Sequence, residues 1–194
     1  MPTKRQRALC LPVFTVGHST RPLEAFLELL RGHGVTRLLD VRTVPRSRVN
    51  PQFNRDTLPG ALRAAGIVYD HLPGLGGLRH PRADSPNLAW RNASFRGFAD
   101  YMQTREFADG LATVMELAGR EQVALMCAEA VPWRCHRSLI ADALTVRGVP
   151  VEHVMSATRR QVHSLTPWAR VEGDRLTYPA GVEGSSEGRK VRAD

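Results

Sequence analysis

The stretch CAEAVPWRCHRS at 127–138 brings two thiols, a carboxylate, an imidazole and two guanidinium groups into twelve residues. Cys135, His136 and Arg137 fall at its end, where the pattern LIADALTVRG predicts the start of a helix. The unpaired N–H groups and the dipole of a helix N-terminus favour negative charge. A Cys135 thiolate would be stabilised there, and Arg137 would suit a bound phosphate or carboxylate.

Carboxylates and an imidazole add candidates for proton transfer. Glu129 is the only acid in the stretch, and we expect it to serve as a general base or a nucleophile. His18 would be its proton-transfer partner or an oxyanion donor. Asp40 is a second candidate acid or, alternatively, the ion-pair partner of Arg42. Arg137 has a similar alternative, in which it pairs with Glu129 or Asp40 and holds the loop.

The two cysteines of the stretch allow other interpretations. Cys127 follows an apolar run and is equally typical of a packed small hydrophobe. A phosphatase loop of Cys-x5-Arg spacing would need arginine where Trp133 stands, and Arg134 comes one residue late. A Cys-x7-Cys spacing is also unlike the tight pairs of zinc sites, so we predict no metal or other cofactor. A zinc site would draw its ligands from Cys127, Cys135, His136 and His18.

The composition favours anionic partners. The net charge is +8, from 27 basic against 19 acidic residues, and only Lys4 and Lys190 are lysines. Such a charge favours phosphate, nucleotide or nucleic acid, although arginine is also the usual basic residue in proteins from GC-rich genomes. Part of the charge lies in the termini.

Cysteine content and hydropathy bear on the compartment. Three cysteines, an odd number, fit a reduced protein better than a disulfide framework. No apolar run approaches the roughly 20 residues of a membrane span, and the basic N-terminus lacks a signal-peptide core. We therefore expect a cytoplasmic protein without a membrane partner.

Strand and helix patterns alternate along the chain. The strands are predicted at 12–17, 35–41, 67–72, 121–128 and 149–155. The helices are predicted at 21–34, 56–66 (with Asp56 as its N-cap), 95–119 (one helix or two) and 135–148. We expect an extension at 1–11, one domain at 12–179 with a small hairpin near its end, and a disordered basic tail at 180–194.

This alternation predicts an α/β fold, namely a three-layer Rossmann-like domain with a five-stranded, mainly parallel sheet. The simplest strand order is 3-2-1-4-5. The clusters GHSTR (17–21), DVR (40–42) and CAE (127–129) end strands one, two and four. Since ligands of such sheets bind beyond the carboxyl ends of the strands, all three clusters should border one crevice.

The segment 73–94 is a long predicted loop rich in glycine, proline and polar residues. Loops of this length in compact domains tend to be functional or disordered. The GLGG run at 74–77 is not a dinucleotide fingerprint, but it allows a close backbone approach. Trp90 and Arg91 would clamp a base, or the loop would be a solvated lid.

The motifs VGHSTR, LLDVRTVPRSRVNPQFN, GIVYDHLPGLGG, LMCAEAVPWRCHRSLIA and HSLTPWA…LTYP together resemble the domain of unknown function 488 family, from about Val16 to Pro179. The resemblance implies a single compact α/β domain and leaves the activity open. Ser19 and Thr20 would otherwise be helix caps. The hallmark polar residues that the resemblance implies are His18, Ser19, Arg21, Asp40, Arg42, Ser47, Glu129, Cys135, His136 and Arg137.

We therefore expect an enzyme, a hydrolase or transferase of a phosphorylated, nucleotide-like or nucleic-acid substrate. Arg42 and Arg137 would bind the anion, and Glu129 and His18 would transfer protons. The other expected substrate-binding residues are Arg21, Ser19, Ser47 and His136. Thiolate chemistry at Cys135 is one form of this prediction. The alternatives are a nucleic-acid or nucleotide binding protein without chemistry and a zinc-stabilised module. The oligomeric state is not predicted.

Overall fold

A computed structural model describes residues 11–181. Nearly all of the predicted extension (1–11) and basic tail (180–194) lies outside these residues. The strands are β1 (Val13–Gly17), β2 (Arg37–Asp40), β3 (Val68–His71), β4 (Val123–Cys127), β5 (Val151–Val154), β6 (Arg160–Val162), β7 (Arg170–Glu172) and β8 (Arg175–Thr177). The helices are α1 (Leu23–Gly32), α2 (Leu58–Ala64), α3 (Ala93–Tyr101), α4 (Arg105–Ala118) and α5 (Arg137–Val146).

The main sheet has six strands in the order β3-β2-β4-β1-β5-β6. The first five are parallel and β6 runs antiparallel to β5. The α/β prediction is confirmed, but the predicted strand order is wrong and β6 was not predicted. β4 lies between β1 and β2 because its residues Val123–Met126 are apolar and fully buried on both faces, as the centre of a parallel sheet requires.

Helices cover both faces of this sheet. Phe14 and Val16 of β1 pack on one face with the apolar stripes of α1 and α2. Val13, which points the other way, packs with α4 and α5. Two separate hydrophobic cores result, one on each side, and the predicted three layers are confirmed.

Local signals account for most element boundaries. The predicted 95–119 segment forms two helices, because Thr104 caps α4 by accepting a hydrogen bond from the Phe107 amide. The predicted cap of α2 shifts by one residue, to Thr57. The predicted hairpin is β7–β8, where Gly173 adopts a φ of 60° in the tight turn. Among residues 11–181, no helix has the length and apolar character to cross a bilayer.

Candidate functional site

The carboxyl ends of β1, β4 and β2 lie side by side. Gly17 of β1 pairs with Cys127 of β4, and Asp40 of β2 pairs with Met126. The three polar clusters therefore meet at one edge of the sheet, as the sequence predicts, although β4 rather than β1 is their centre.

The loops after β1 and β4 continue this pairing beyond the strands. The His18 amide donates to the Cys127 carbonyl at 3.0 Å, and the Ser19 amide donates to the Ala128 carbonyl at 2.9 Å. A Cβ at Gly17 would lie 1.9 Å from the Glu129 carbonyl oxygen, so only glycine allows this approach. The two loops consequently form one wall.

A crevice with two lobes opens at this edge. The thiol lobe has a volume of about 340 Å³ and the polar lobe about 490 Å³. The thiol lobe is lined chiefly by Leu78, Phe95, Cys127, Arg134, Cys135 and His136. The polar lobe is lined chiefly by His18, Ser19, Arg46, Ser47 and Asn50. Both lobes share Arg42, Val44, Ala128 and Glu129, which makes them parts of one crevice.

Two cysteines and a histidine meet in the thiol lobe. The sulfur atoms of Cys127 and Cys135 and one ring nitrogen of His136 all lie within 4.8 Å of one another. His136 Nδ1 is 3.6 Å from Cys135 Sγ, and Nε2 donates to the Val41 carbonyl at 3.0 Å. Because a carbonyl only accepts, the Nε2 proton is fixed, and Nδ1 is free to take the thiol proton of Cys135.

The GLGG run makes the close approach that the sequence predicts. A Cβ at Gly77 would lie 2.4 Å from His136 Nδ1. Glycine at this position therefore lets the loop press against the imidazole on the side of Cys135.

Arg137 is 1% exposed and reaches Cys135 from behind the crevice. Its Nε donates to Cys135 Sγ at 3.4 Å and its Nη1 to Thr15 Oγ1 at 3.4 Å, while Nη2 donates to the Glu129 carbonyl. The guanidinium lines neither lobe and contacts the backbone of Glu129 rather than its carboxylate. It is placed to stabilise a Cys135 thiolate rather than to hold a ligand in the crevice.

The surroundings of the two thiols shift their pKa values in opposite directions. The hydrogen bond from Cys127, followed by His136 and Arg137, holds the pKa of Cys135 well below its usual range despite burial. The hydrogen bond to Cys135 and burial raise the pKa of Cys127. These opposite shifts favour the negative charge on Cys135 rather than on Cys127.

Asp40 and Arg42 form a buried ion pair, the alternative that the sequence allows for both. Arg42 Nε and Nη2 donate to the two carboxylate oxygens of Asp40 at 2.9 and 2.6 Å. The Arg42 amide and the Tyr69 hydroxyl also donate to Asp40, at 3.0 and 2.8 Å. With Asp40 0% exposed and four donors on its oxygens, its visible role is to hold Arg42.

His18 holds the same guanidinium from the other side. Its Nδ1 donates to the Ser19 carbonyl at 2.8 Å, so Nε2 accepts from Arg42 Nη1 at 3.2 Å. The ring stacks on Phe53 with centroids 4.2 Å apart. Burial and then the Arg42 charge lower the pKa of His18 to about 4, which keeps the imidazole neutral.

The remaining predicted site residues divide between the crevice and its support. Glu129 is exposed at the junction of the lobes, and its Oε1 accepts from the Val131 amide at 3.0 Å. Ser19 and Ser47 line the polar lobe. Arg21 lines neither lobe and donates to the Gly17 carbonyl. Sequence reasoning missed Arg46 and Asn50, although the polar run PRSRVN directly after the second strand could have indicated them.

The long loop contributes a wall rather than a clamp. Gly77 and Leu78 line the thiol lobe. Trp90 stacks on Phe95 at 4.9 Å, forms T-shaped contacts with Trp168 and Tyr178, and lines neither lobe. Arg79 lies over the Tyr101 ring, 3.5 Å from its centroid, and so does not reach the crevice either.

The thiol lobe offers three metal-ligating atoms, from Cys127, Cys135 and His136. The fourth ligand proposed from the sequence, His18, has both ring nitrogens in hydrogen bonds elsewhere. The Arg137 guanidinium, 3.4 Å from Cys135 Sγ, would also repel a cation. The donor set fits a thiolate beside an imidazole better than zinc.

Comparison with known proteins identifies a family but no characterised relative. The family model described as Domain of unknown function DUF488 matches residues 22–144. This confirms the resemblance over that range, whereas VGHSTR and HSLTPWA…LTYP fall outside it. Neither a curated protein nor a solved structure is detectably similar to the chain.

Proposed function

Since the chain belongs to the DUF488 family, whose activity is open, we propose a function from the crevice itself: a hydrolase or transferase that uses Cys135 as its nucleophile. The observation that carries the proposal is the surroundings of Cys135 Sγ. A thiol, an imidazole nitrogen and a buried guanidinium all approach it at the wall of an open lobe. Such surroundings activate catalytic cysteines.

The proposed reaction begins when the Cys135 thiolate attacks an electrophilic centre of the substrate. His136, protonated at Nδ1 by the thiol proton, would give that proton to the leaving group. The covalent intermediate would then be released by water or by an acceptor molecule. Glu129, exposed at the junction of the lobes, is placed to activate that second nucleophile.

The polar lobe supports the anionic part of the substrate. Arg46, Ser47 and Asn50 offer donors there. Of the five guanidinium hydrogens of Arg42, the contacts within residues 11–181 use four, because one Nη1 hydrogen has no partner. That hydrogen is available to a ligand, and in this proposal Asp40 and His18 are positioning residues for Arg42.

The two lobes together suit a substrate with an anionic and an apolar end. Phe95 and Leu78 give the thiol lobe an apolar surface, whereas the polar lobe adds Arg46 and hydroxyl groups to the shared Arg42. A phosphorylated, nucleotide-like compound has both ends. We expect the protein to act in the cytoplasm, where reducing conditions keep both cysteines as thiols.

The test has two stages. Thermal unfolding is first measured with phosphate, sulfate and a panel of nucleotides, since a ligand at about 100 times its dissociation constant adds about 2.7 kcal/mol. Arg46→Ala should abolish the stabilisation. Arg48→Ala, an exposed arginine that lines neither lobe, is the matched control and should keep it.

Compounds that stabilise the protein are then assayed for turnover. We expect Cys135→Ser to lower the rate by at least about a thousand-fold while the fold is retained. Unchanged turnover in Cys135→Ser would contradict the proposal. Zinc bound in stoichiometric amount to the purified protein, with turnover dependent on it, would favour the metal alternative instead.

A second candidate function, nucleic-acid binding without chemistry, is supported by Trp133. Its side chain is 58% exposed and adjoins Arg134 of the thiol lobe, a combination that stacks bases. This function predicts binding of single strands that weakens steeply with salt and is lost in Trp133→Ala but not in Cys135→Ser. Salt-insensitive binding would contradict it.

A further inference from the structure

A line of buried polar side chains leads from Arg137 away from the crevice. Thr15 Oγ1 is 2.7 Å from His153 Nδ1, and His153 Nε2 is 3.0 Å from His163 Nδ1. His163 Nε2 is 2.8 Å from Asp142 Oδ1. These residues come from β1, β5, the segment after β6 and α5, so only the folded chain assembles them.

One assignment of histidine tautomers gives every group in this line a hydrogen-bond partner. Arg137 can only donate to the Thr15 oxygen, and the Thr15 hydroxyl hydrogen has one acceptor among residues 11–181, His153 Nδ1. His153 therefore donates from Nε2 to His163, which donates to the Asp142 carboxylate. Every bond is polarised in the same sense, from the buried cation to the buried carboxyl group.

The far end of the line is the buried carboxyl group of Asp142. Asp142 is 0% exposed, and its oxygens also accept from the Thr166 amide and hydroxyl and from the Tyr178 hydroxyl, at 2.7 to 3.0 Å. Four donors therefore fix the position of this buried carboxylate. No carboxylate oxygen of residues 11–181 forms an ion pair with Arg137, so Asp142 acts on it through Thr15 and the two histidines.

We infer that Thr15, His153, His163 and Asp142 are positioning residues for the nucleophile: they orient the Arg137 guanidinium so that its Nε faces Cys135 Sγ. Arg137 has three acceptors, and the Thr15 hydroxyl fixes the end opposite the sulfur. The charged and titratable groups that face Cys135 itself are Cys127, His136 and Arg137. This inference rests on the proposed function and adds to it four positioning residues that lie behind Arg137.

The test compares two substitutions of one residue. Thr15→Val preserves the shape of the fully buried side chain and removes only the hydroxyl, whereas Thr15→Ser keeps it. Alkylation by iodoacetamide is followed against pH at Cys135 and Cys127 separately, by mass spectrometry of the peptides. In Thr15→Val we expect the midpoint of Cys135 alkylation to rise by about one pH unit. Thr15→Ser should retain the wild-type midpoint.

Cys127 in the same samples controls for loosening of the core, which would speed alkylation of both cysteines. If Thr15→Val does not fold, His163→Asn decides, because asparagine can accept from His153 but cannot reach Asp142. We expect a smaller upward shift there. A Cys135 midpoint that stays at the wild-type value in the folded variant would overturn the inference.

The proposed function can be contradicted independently of this inference, by alkylation of the wild-type protein alone. It fails if wild-type Cys135 is no more reactive than Cys127. If Cys135 is reactive but indifferent to the loss of the Thr15 hydroxyl, only the positioning role is wrong.

Discussion

Arg42 and Arg137 are both buried beside the same crevice, but they are neutralised in different ways. Arg42 faces the Asp40 carboxylate, two residues away, in a bidentate ion pair. Arg137 contacts a thiol sulfur, a hydroxyl and a carbonyl, and no carboxylate within residues 11–181. Since burying an unpaired charge is costly, the contrast indicates that the Cys135 thiolate is the direct counter-ion of Arg137.

The difference distinguishes an arginine held in an ion pair from an arginine that contacts a reactive thiol. The charges of Asp40 and Arg42 neutralise each other. The Tyr69 hydroxyl and the His18 imidazole form additional hydrogen bonds with the pair. Arg137, in contrast, has Cys135 as the only contacting group within residues 11–181 that could carry a negative charge. Substitution of Arg42 should therefore have the larger effect on stability, and substitution of Arg137 the larger effect on thiol reactivity.

The largest effect on stability is expected from Arg42→Met. The substitution leaves the fully buried Asp40 carboxylate without its cation, which should lower the free energy of unfolding by about 3–5 kcal/mol. Denaturant titration measures the loss. A loss no larger than that of Arg137→Met would contradict the comparison.

Arg137→Met should cost less stability, about 1–3 kcal/mol, because Cys135 can become neutral by binding a proton. Its main consequence should be chemical. We expect the midpoint of Cys135 alkylation to rise by about one to two pH units, as for a group that loses a cation in contact. Arg42→Lys, which alters the other arginine and keeps its charge, should leave that midpoint unchanged.

Tyr69→Phe sharpens the comparison at the supporting pair. It removes one of four donors to Asp40 and should lower the free energy of unfolding by about 1 kcal/mol. Cys135 alkylation should not respond, because Tyr69 does not line the thiol lobe. A change in Cys135 reactivity would show that the two arginines are coupled.

Mild acid should act on the support of both arginines at once. Burial lowers the pKa values of His18 and His153 to about 4 from 6.5, and one of these histidines supports each arginine. Between pH 6.5 and 4 the unfolded chain binds more protons than the folded one, so stability is full above pH 6.5 and falls as the pH drops towards 4. Denaturant titrations at pH 7 and at pH 5 test this. Equal stability at both would contradict it.

The sequence predicted the layers and the meeting of the three clusters better than the strand order. Alternating strands and helices specify the α/β class but not which strand is central. The run VALM, apolar at every position, indicates a strand buried on both faces, and this signal would have placed β4 in the middle. The short polar strand β6 has no comparable signal.

The sequence indicated where the site lies, but not the buried residues that position Arg137. Cys135, His136 and Arg137 stand at the start of α5 as the pattern indicates. The inward orientation of Arg137 depends on the hydroxyl of Thr15. Within the apolar strand VFTVG, the sequence does not distinguish this residue from an ordinary strand threonine. Asp142 within LIADAL was a stronger clue, because an acid there interrupts an otherwise apolar helix face.

The central claim is that Cys135 carries the negative charge beside Arg137. The most direct test is the pH dependence of alkylation at Cys135 in the wild-type protein, with Cys127 followed in the same samples. The account predicts a midpoint for Cys135 well below the about 8.5 of a free cysteine, and little reaction of Cys127 in that range. A Cys135 midpoint at or above about 8.5 would contradict it.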